Sequence, residues 1–211
     1  MFNDRFAVAM KRCLFVLILL LWPRQASASP ATLLTNDDQT YAHTLFNDIK
    51  HAKHTIIIAD YVWRLGKYQD EYPNRILAAV IAARARGVWV EVVLNGKCEG
   101  EKPVRTIKDL NKMIQSYKDN TRCDVYKANV EVLKRLNKAN IFAAFARPEQ
   151  LAYLKCVIID DRIVYIGSHN ITQSALKYNA EVSVRLIAPK LAHDLTAYIN
   201  RLIPDLYKFK T

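Results

Sequence analysis

YLKCVIIDDRIVYIGSHNITQSALKYNAE, residues 153–181, is the stretch on which the reading of this chain turns. Residues 151–159 and 163–168 are β-rich runs, joined by Asp160-Asp161-Arg162, a composition suited to a tight turn. Residues two apart along a strand share a face. Tyr153 and Lys155 therefore project together, while Leu154 and Cys156 point into the core. Asp160 falls at the strand end and belongs to the turn. Ser168 and Asn170 follow the second strand. The spacing gathers a phenol, an ammonium, a hydroxyl and an amide at one sheet edge. Such donors suit a phosphate, because charge on the equatorial oxygens of a phosphoryl group is stabilised by preorganised cations and N–H or O–H groups.

Upstream, a helical pattern carries Leu45, Ile49 and Ala52 about one turn apart. Residues 55–63 are almost continuously apolar, which predicts a strand buried on both faces. Asn74 suits the N-cap of a helix carrying Ile76, Leu77, Val80 and Ile81, and Gly87 ends it. Residues 88–94 form the next strand, stopped by Asn95-Gly96. Strand, helix, strand at this spacing predicts a parallel pair. Residues 96–128 interrupt the rhythm as a lysine-rich insertion with a helix expected over 107–117. Beyond it, 130–136 read as helix, 139–145 and 181–187 as strands, and 191–203 as a helix that Pro204 stops. The whole predicts one α/β domain around a mixed, mostly parallel sheet with helices on both faces.

The chain has 211 residues, 51% of them hydrophobic and 24% charged, and a formal net charge of +11. That balance belongs to a globular domain and excludes a disordered tail. A basic surface attracts anionic partners such as nucleic acid or anionic lipid headgroups, although many basic proteins bind neither. Lys11 and Arg12, the apolar run 13–22 and Ala26-Ser27-Ala28 have the pattern of a secretory signal peptide over residues 1–28, leaving a domain over 29–211. Export to the periplasm or beyond would permit disulfides. Cys98 and Cys123 flank the insertion and are the expected pair, with two free thiols as the alternative. Cys156 reads as a small buried hydrophobe. No Cys or His spacing suggests zinc, and no metal or other cofactor is expected.

Lys155 and Asp160 have the spacing of the second and third members of H-x-K-x-x-x-x-D. Gly167, Ser168, Asn170 and Thr172 follow as G-S-x-N-x-T, and Asn179-Ala180-Glu181 comes soon after. This run resembles the phospholipase D superfamily, in its single-motif, endonuclease-like branch. The strands expected over 56–63 and 87–94 are similar too, so the likeness covers most of the domain except the insertion. The resemblance implies a metal-independent phosphodiesterase or transferase working through a covalent phospho-enzyme, with nucleic acid or phospholipid as substrate and possible peripheral contact with a membrane. By position it assigns phosphate binding to Lys155, Ser168 and Asn170, support of the site to Asp160, and the orienting carboxylate to Glu181. It also implies a homodimer in which each copy contributes half of one active site.

The nucleophilic histidine of the motif would fall on Tyr153. Three readings are open. Tyr153 attacks phosphorus itself, although a phenol with an ordinary pKa of about 10 needs activation. Another residue substitutes, and His169 inside G-S-H-N is the candidate, although its alternation with Ser168 and Asn170 favours a structural role. Or the chemistry is lost and the fold persists as a phosphate- or polyanion-binding module. His43, His51, His54 and His193 read as solvated. Tyr61 and Trp63 either pack in the core or stack on a ligand. Lys97, Lys102, Lys108, Lys112 and Lys118 are either a solvated surface or a track for a phosphate backbone.

Overall fold

The apolar runs TIIIAD and WVEVVL form β2 (Thr55–Asp60) and β3 (Trp89–Leu94), parallel neighbours inside a seven-stranded sheet. The computed structural model describes residues 31–97 and 123–204. The sheet has the order β1-β7-β6-β5-β2-β3-β4, with β1 (Ala31–Thr35), β4 (Phe142–Phe145), β5 (Lys155–Ile159), β6 (Ile163–Gly167) and β7 (Val182–Ile187). One face is covered by α1 (Thr40–His51), α2 (Tyr72–Ala85) and α3 (Asp124–Lys138). Their apolar stripes, including Leu45, Ile49, Ile76, Val80, Val132 and Leu136, close on Ile56, Ile58, Val92, Val157 and Ile159. The short α4 (Gln173–Lys177) adds Leu176 to this layer. The other face is covered by α5 (Pro189–Leu202), which packs Ala192, Ile199 and Leu202 on Ile57, Val93, Ile158 and Val164.

The sheet is mixed, as expected, and its parallel part is confined to β2, β3 and β4. The other four pairings are antiparallel. The tight turn sets one of them, β5 with β6. Asp160 and Asp161 both take positive φ, 53° and 50°, and Arg162 N–H bonds the Ile159 carbonyl at 3.1 Å. Two consecutive left-handed residues make the turn that reverses adjacent strands with matching twist.

Other boundaries moved for local reasons. β5 begins at Lys155 rather than at 151, because Asn95 Oδ1 captures the Ala152 N–H at 3.1 Å and Tyr153 N–H folds back to the Leu151 carbonyl. α2 begins two residues before Asn74, with Pro73 in its first turn, where a fixed φ suits a helix start. Asn74 instead braces the preceding loop, accepting from Gly66 N–H and donating to the Gly66 carbonyl. Gly87, at φ +92°, ends the helix as expected. Cys123 is buried and disulfide-bonded, and Cys156 is buried and free. Cys98, the helix expected over 107–117 and the signal segment 1–28 lie outside the described residues. Among the described residues no helix is long and apolar enough to cross a membrane.

Candidate active site

At the C-terminal end of β2 the chain places a carboxylate that no motif announced. Asp60 ends an apolar strand, is 3% exposed, and stands in register with Lys155 of the antiparallel β5. Its Oδ1 accepts from the Val62 N–H at 2.9 Å, and the backbone at Ile171 and Tyr61 also favours its charged form, although the Tyr61 N–H itself is spent on the Leu154 carbonyl at 2.7 Å. Burial pushes the Asp60 carboxyl well above the usual range, while these backbone groups and the Lys155 charge pull it back. Lys155 is the mirror case. Burial draws its ammonium below the ordinary value, opposed by the carboxylates of Asp60 and Glu181.

Asn170 reaches the same place from the other side. After β6 the segment 168–172 runs beside 62–64, joined by the Trp63–Ile171 bridge and by Arg64 N–H to the Ile171 carbonyl at 3.0 Å. Lys155 is thus the strand partner of Asp60, and Asn170 precedes Ile171, whose backbone favours the Asp60 charge. Asn170 Oδ1 is buried without a hydrogen-bond partner. Asn170 also lines a cleft of about 460 Å³ with Val62, Arg64, Thr172, Gln173 and Asn179. Gly167 makes this path possible. A Cβ there would collide with Val182 and Ser183 of β7, so only glycine lets β6 run so close before the turn into Ser168.

The other expected residues separate into distinct roles. Tyr153 lies in the segment before β5, 61% exposed, with its ring face beneath Lys155 Nζ, 3.6 Å from the centroid. Tyr61 completes the aromatic group, with its ring 4.7 Å from that of Tyr153. Glu181 Oε1 accepts from Asn179 Nδ2 at 3.1 Å, and its charge acts on Lys155 and His169. Ser168 commits its hydroxyl to the Val182 backbone, accepting from the N–H at 3.0 Å and donating to the carbonyl at 3.3 Å. In this arrangement Ser168 secures the end of β6 rather than offering a donor to a ligand.

Asp160 stands apart from the edge. It is five residues from Lys155 along β5, about 17 Å at strand rise. Its carboxylate accepts from the amides of Lys53, His54 and Thr55 at 2.7 to 3.1 Å. It staples the β5–β6 turn to the start of β2, so its expected place among the catalytic groups is corrected to a structural one. His169 is also structural. It is 1% exposed, stacked on Tyr41 at 3.9 Å, and held by Ser183 Oγ at 2.8 Å and Asn36 Oδ1 at 2.9 Å. Burial lowers its pKa to about 4, against the pull of Glu181. Trp63 is core, fully buried, with its indole N–H on the Pro73 carbonyl. Lys97 is buried too, which removes it from the expected solvated lysine surface, and the other four lysines of that set lie outside the described residues.

Two further residues escaped the sequence reading. Asn129 of α3 is fully buried, accepts from Trp63 N–H at 2.9 Å, and donates to the carbonyls of Tyr61 and Asn95. With Asn95 it fixes the chain leaving β2, and so the amides that reach Asp60. The only available sign was a pair of asparagines in otherwise apolar surroundings.

Fold and edge together define an α/β protein that presents a cation and amide groups at one end of its sheet, over a buried carboxylate. The chain belongs to the phospholipase D-like family: the family model described as "Cardiolipin synthase, PLD-like domain" matches residues 45–203. A curated relative, cardiolipin synthase A of Erwinia tasmaniensis, is 28% identical over 151 residues, 71% of this chain and 27% of that protein. The chain thus spans about a quarter of the length of the curated relatives it matches. Two solved structures share the fold. One is Nuc of Salmonella typhimurium, a phospholipase D family member, with TM-score 0.60 and 19% identity, covering 82% of this chain and 93% of that one. The other is NucT of Helicobacter pylori, with TM-score 0.55 and 18% identity, covering 82% and 95%.

Proposed function

We propose that this chain is a phospholipase D-like phosphodiesterase that acts on phospholipid or nucleic acid through a covalent phospho-enzyme intermediate, without a metal. The observation that carries this reading is Lys155 standing in register with the buried Asp60, beside a segment whose Asn170 Oδ1 is buried without a hydrogen-bond partner, in a chain of this family. Lys155 supplies positive charge and Asn170 an amide to the phosphoryl oxygens, where negative charge grows as the bond to the leaving group breaks. The cleft beside Asn170 takes the rest of the substrate.

In the first step Tyr153 Oη bonds to phosphorus, the bond from phosphorus to the leaving oxygen breaks, and the phenolic proton ends on that oxygen. In the second, an acceptor hydroxyl attacks phosphorus, the Tyr153 ester breaks, and the acceptor's proton returns to the phenol. Water as acceptor gives hydrolysis and an alcohol gives transfer. Glu181 helps to hold the charges in place. We read the site as completed by a second copy of the chain, the chain as exported, and Cys98 as the partner of Cys123.

The test is incubation of residues 29–211 in EDTA with a single-stranded oligonucleotide and, separately, with phosphatidylglycerol or phosphatidylcholine vesicles. Cleavage or headgroup exchange is expected for one class, with a phosphoryl adduct on the Tyr153 peptide by mass spectrometry. Turnover without that adduct would remove Tyr153 from the mechanism. Absence of turnover on every substrate would remove the activity.

One observation favours a second reading. Because Lys155 sits over the ring face of Tyr153, its charge is directed away from the phenolic oxygen that it would have to activate. The same groups then serve a catalytically impaired protein that binds phosphate or a polyanion, either nucleic acid or an anionic lipid surface.

A further inference from the structure

Lys155 meets an unfavourable environment for a cation. Its ammonium lies over the neighbouring rings of Tyr153 and Tyr61, 3.6 and 5.3 Å from their centroids, and is partly withdrawn from water. Ring faces attract a cation but do not replace its hydration. Two carboxylates act on it, Glu181 near the surface and Asp60 beneath. Asp60 differs from Glu181 in being anchored. Its Oδ1 takes the Val62 amide, and the backbone at Ile171, from a segment far away in sequence, also favours its charge. Among the described residues, those whose titration it affects are Tyr41 from α1 and, from β5, Lys155 and, across the sheet, Cys156. Lys155 is the only cation among them.

We propose that Asp60 is the positioning residue of this site, an ionised carboxylate that keeps Lys155 charged and, through the Ile171 amide, holds Asn170 beside it. The proposal rests on the reading of Lys155 and Asn170 as phosphate-binding groups, but its first consequence concerns Lys155 alone. An opposite charge at close range favours the charged form. The Val62 amide and the Lys155 charge do the same for Asp60, against the burial that raises its pKa. A ligand phosphate would then meet a lysine already charged and already placed.

The experiment is carbon-13 NMR of the full domain without ligand. The Lys155 Cε resonance, assigned through Lys155→Arg, is followed against pH in the natural chain, in Asp60→Asn and in Glu181→Gln. The Lys155 midpoint is expected to fall by about one pH unit or more in Asp60→Asn, and by less in Glu181→Gln. An unchanged midpoint in Asp60→Asn overturns the proposal. Should Asp60→Asn not fold, the Asp60 Cγ shift in the natural chain decides. An ionised carboxylate at pH 7 is expected, and a protonated one overturns the proposal.

Sulfate, a dianion throughout the range, then serves as the phosphate mimic in calorimetry. Its affinity should collapse at lower pH in Asp60→Asn than in the natural chain, the two converging at pH 6 to within a fewfold. A uniform loss of affinity at all pH values would mark Asp60 as scaffold only and overturn the proposal. If sulfate fails to bind the natural chain while Lys155 still responds to Asp60, the phosphate-binding reading falls and the Asp60–Lys155 relation stands.

Discussion

Lys155 Nζ lies over the face of the Tyr153 ring, 3.6 Å from its centroid, so the cation touches the π-face of the residue proposed as the nucleophile. This contact sets the two functional readings against each other. The cation meets the ring face and makes no hydrogen bond to the phenolic oxygen, so the proton that attack must release has to leave by another route.

Replacement of Tyr153 should therefore discriminate. Tyr153→His puts an imidazole nitrogen closer to the backbone than the phenolic oxygen and frees Lys155 from the ring. A misplacement of about 1 Å can cost on the order of 10²-fold in rate. A gain of at least that order in phosphodiester cleavage is expected in Tyr153→His if the remaining groups are competent. Tyr153→Phe should abolish any activity of the natural chain if the phenol is the nucleophile, and leave it intact if the ring is only a platform. Rates of oligonucleotide and phospholipid cleavage for the three chains decide between these outcomes.

Asp160 makes a prediction about stability rather than activity. Asp160→Ala removes the acceptor of the Lys53, His54 and Thr55 amides and leaves a residue with a Cβ at φ 53°. Hydrogen bonds to a charged group contribute about 1.5–3 kcal/mol, and left-handed backbone costs a non-glycine residue about another 1 kcal/mol. A loss of about 3 kcal/mol is expected, which lowers the melting temperature of a domain of this size by roughly 9 °C. Sulfate affinity below the transition should be unchanged. A loss of sulfate binding at full foldedness would return Asp160 to the site.

The placement of Asp160 illustrates what spacing reveals and what it hides. The strand runs at 55–60 and 89–94, their parallel pairing and the 160–162 turn were readable because apolar runs and turn residues carry local information. The pairing of β5 with β6, which sets Lys155 and the segment holding Asn170 on neighbouring strands, was readable for the same reason. β1 was missed because an edge strand reading ATLLT, mostly exposed, has neither a buried run nor clear alternation. It forms only because β7 offers its free edge 150 residues later in the chain. The β5–β6 pairing follows from the hairpin turn, which was recognised, but the dominance of the antiparallel half over the parallel half depends on where β5 docks. Asp60 and Asn129 were illegible because their roles arise from amides contributed by distant segments.

Lys155 also governs a prediction about binding. If the chain retains phosphate or polyanion affinity, Lys155→Ala should weaken binding to a short single-stranded DNA and reduce its dependence on salt. Each phosphate contact contributes about −0.7 to the slope of log K against log salt for single strands. Fluorescence anisotropy between about 50 and 200 mM NaCl should show the slope of Lys155→Ala shallower by about that amount. An identical slope would place the nucleic-acid contacts elsewhere on the basic surface.

His169 couples stability to acidity. The neutral ring stacks on Tyr41, and its two nitrogens are held by Asn36 and Ser183. Asn36 Nδ2 donates to the carbonyls of Ala175 and Asn179, so its Oδ1 faces the ring and takes the Nε2 proton, leaving Nδ1 to accept from the Ser183 hydroxyl. A second proton would put a charge in this buried stack, and burial accordingly lowers the pKa from its ordinary 6.5 to about 4. The unfolded chain takes up the proton near pH 6.5 and the folded chain only near 4. Above pH 6.5 the two states bind protons alike and His169 adds no pH dependence. Between 6.5 and 4 the unfolded state alone gains the proton, so folding stability falls as the solution is acidified, and below 4 the loss is complete. The full window corresponds to about 3 kcal/mol at roughly 1.4 kcal/mol per pH unit. Urea unfolding at pH 7 and pH 4 should show that loss in the natural chain, beyond the common contribution of the carboxylates. His169→Asn should start less stable at pH 7, because the stack and one hydrogen bond are lost, yet lose about 3 kcal/mol less on acidification. Equal acid losses in the two chains would mean that His169 takes up its proton in the fold near its ordinary 6.5, the pull of Glu181 cancelling the effect of burial.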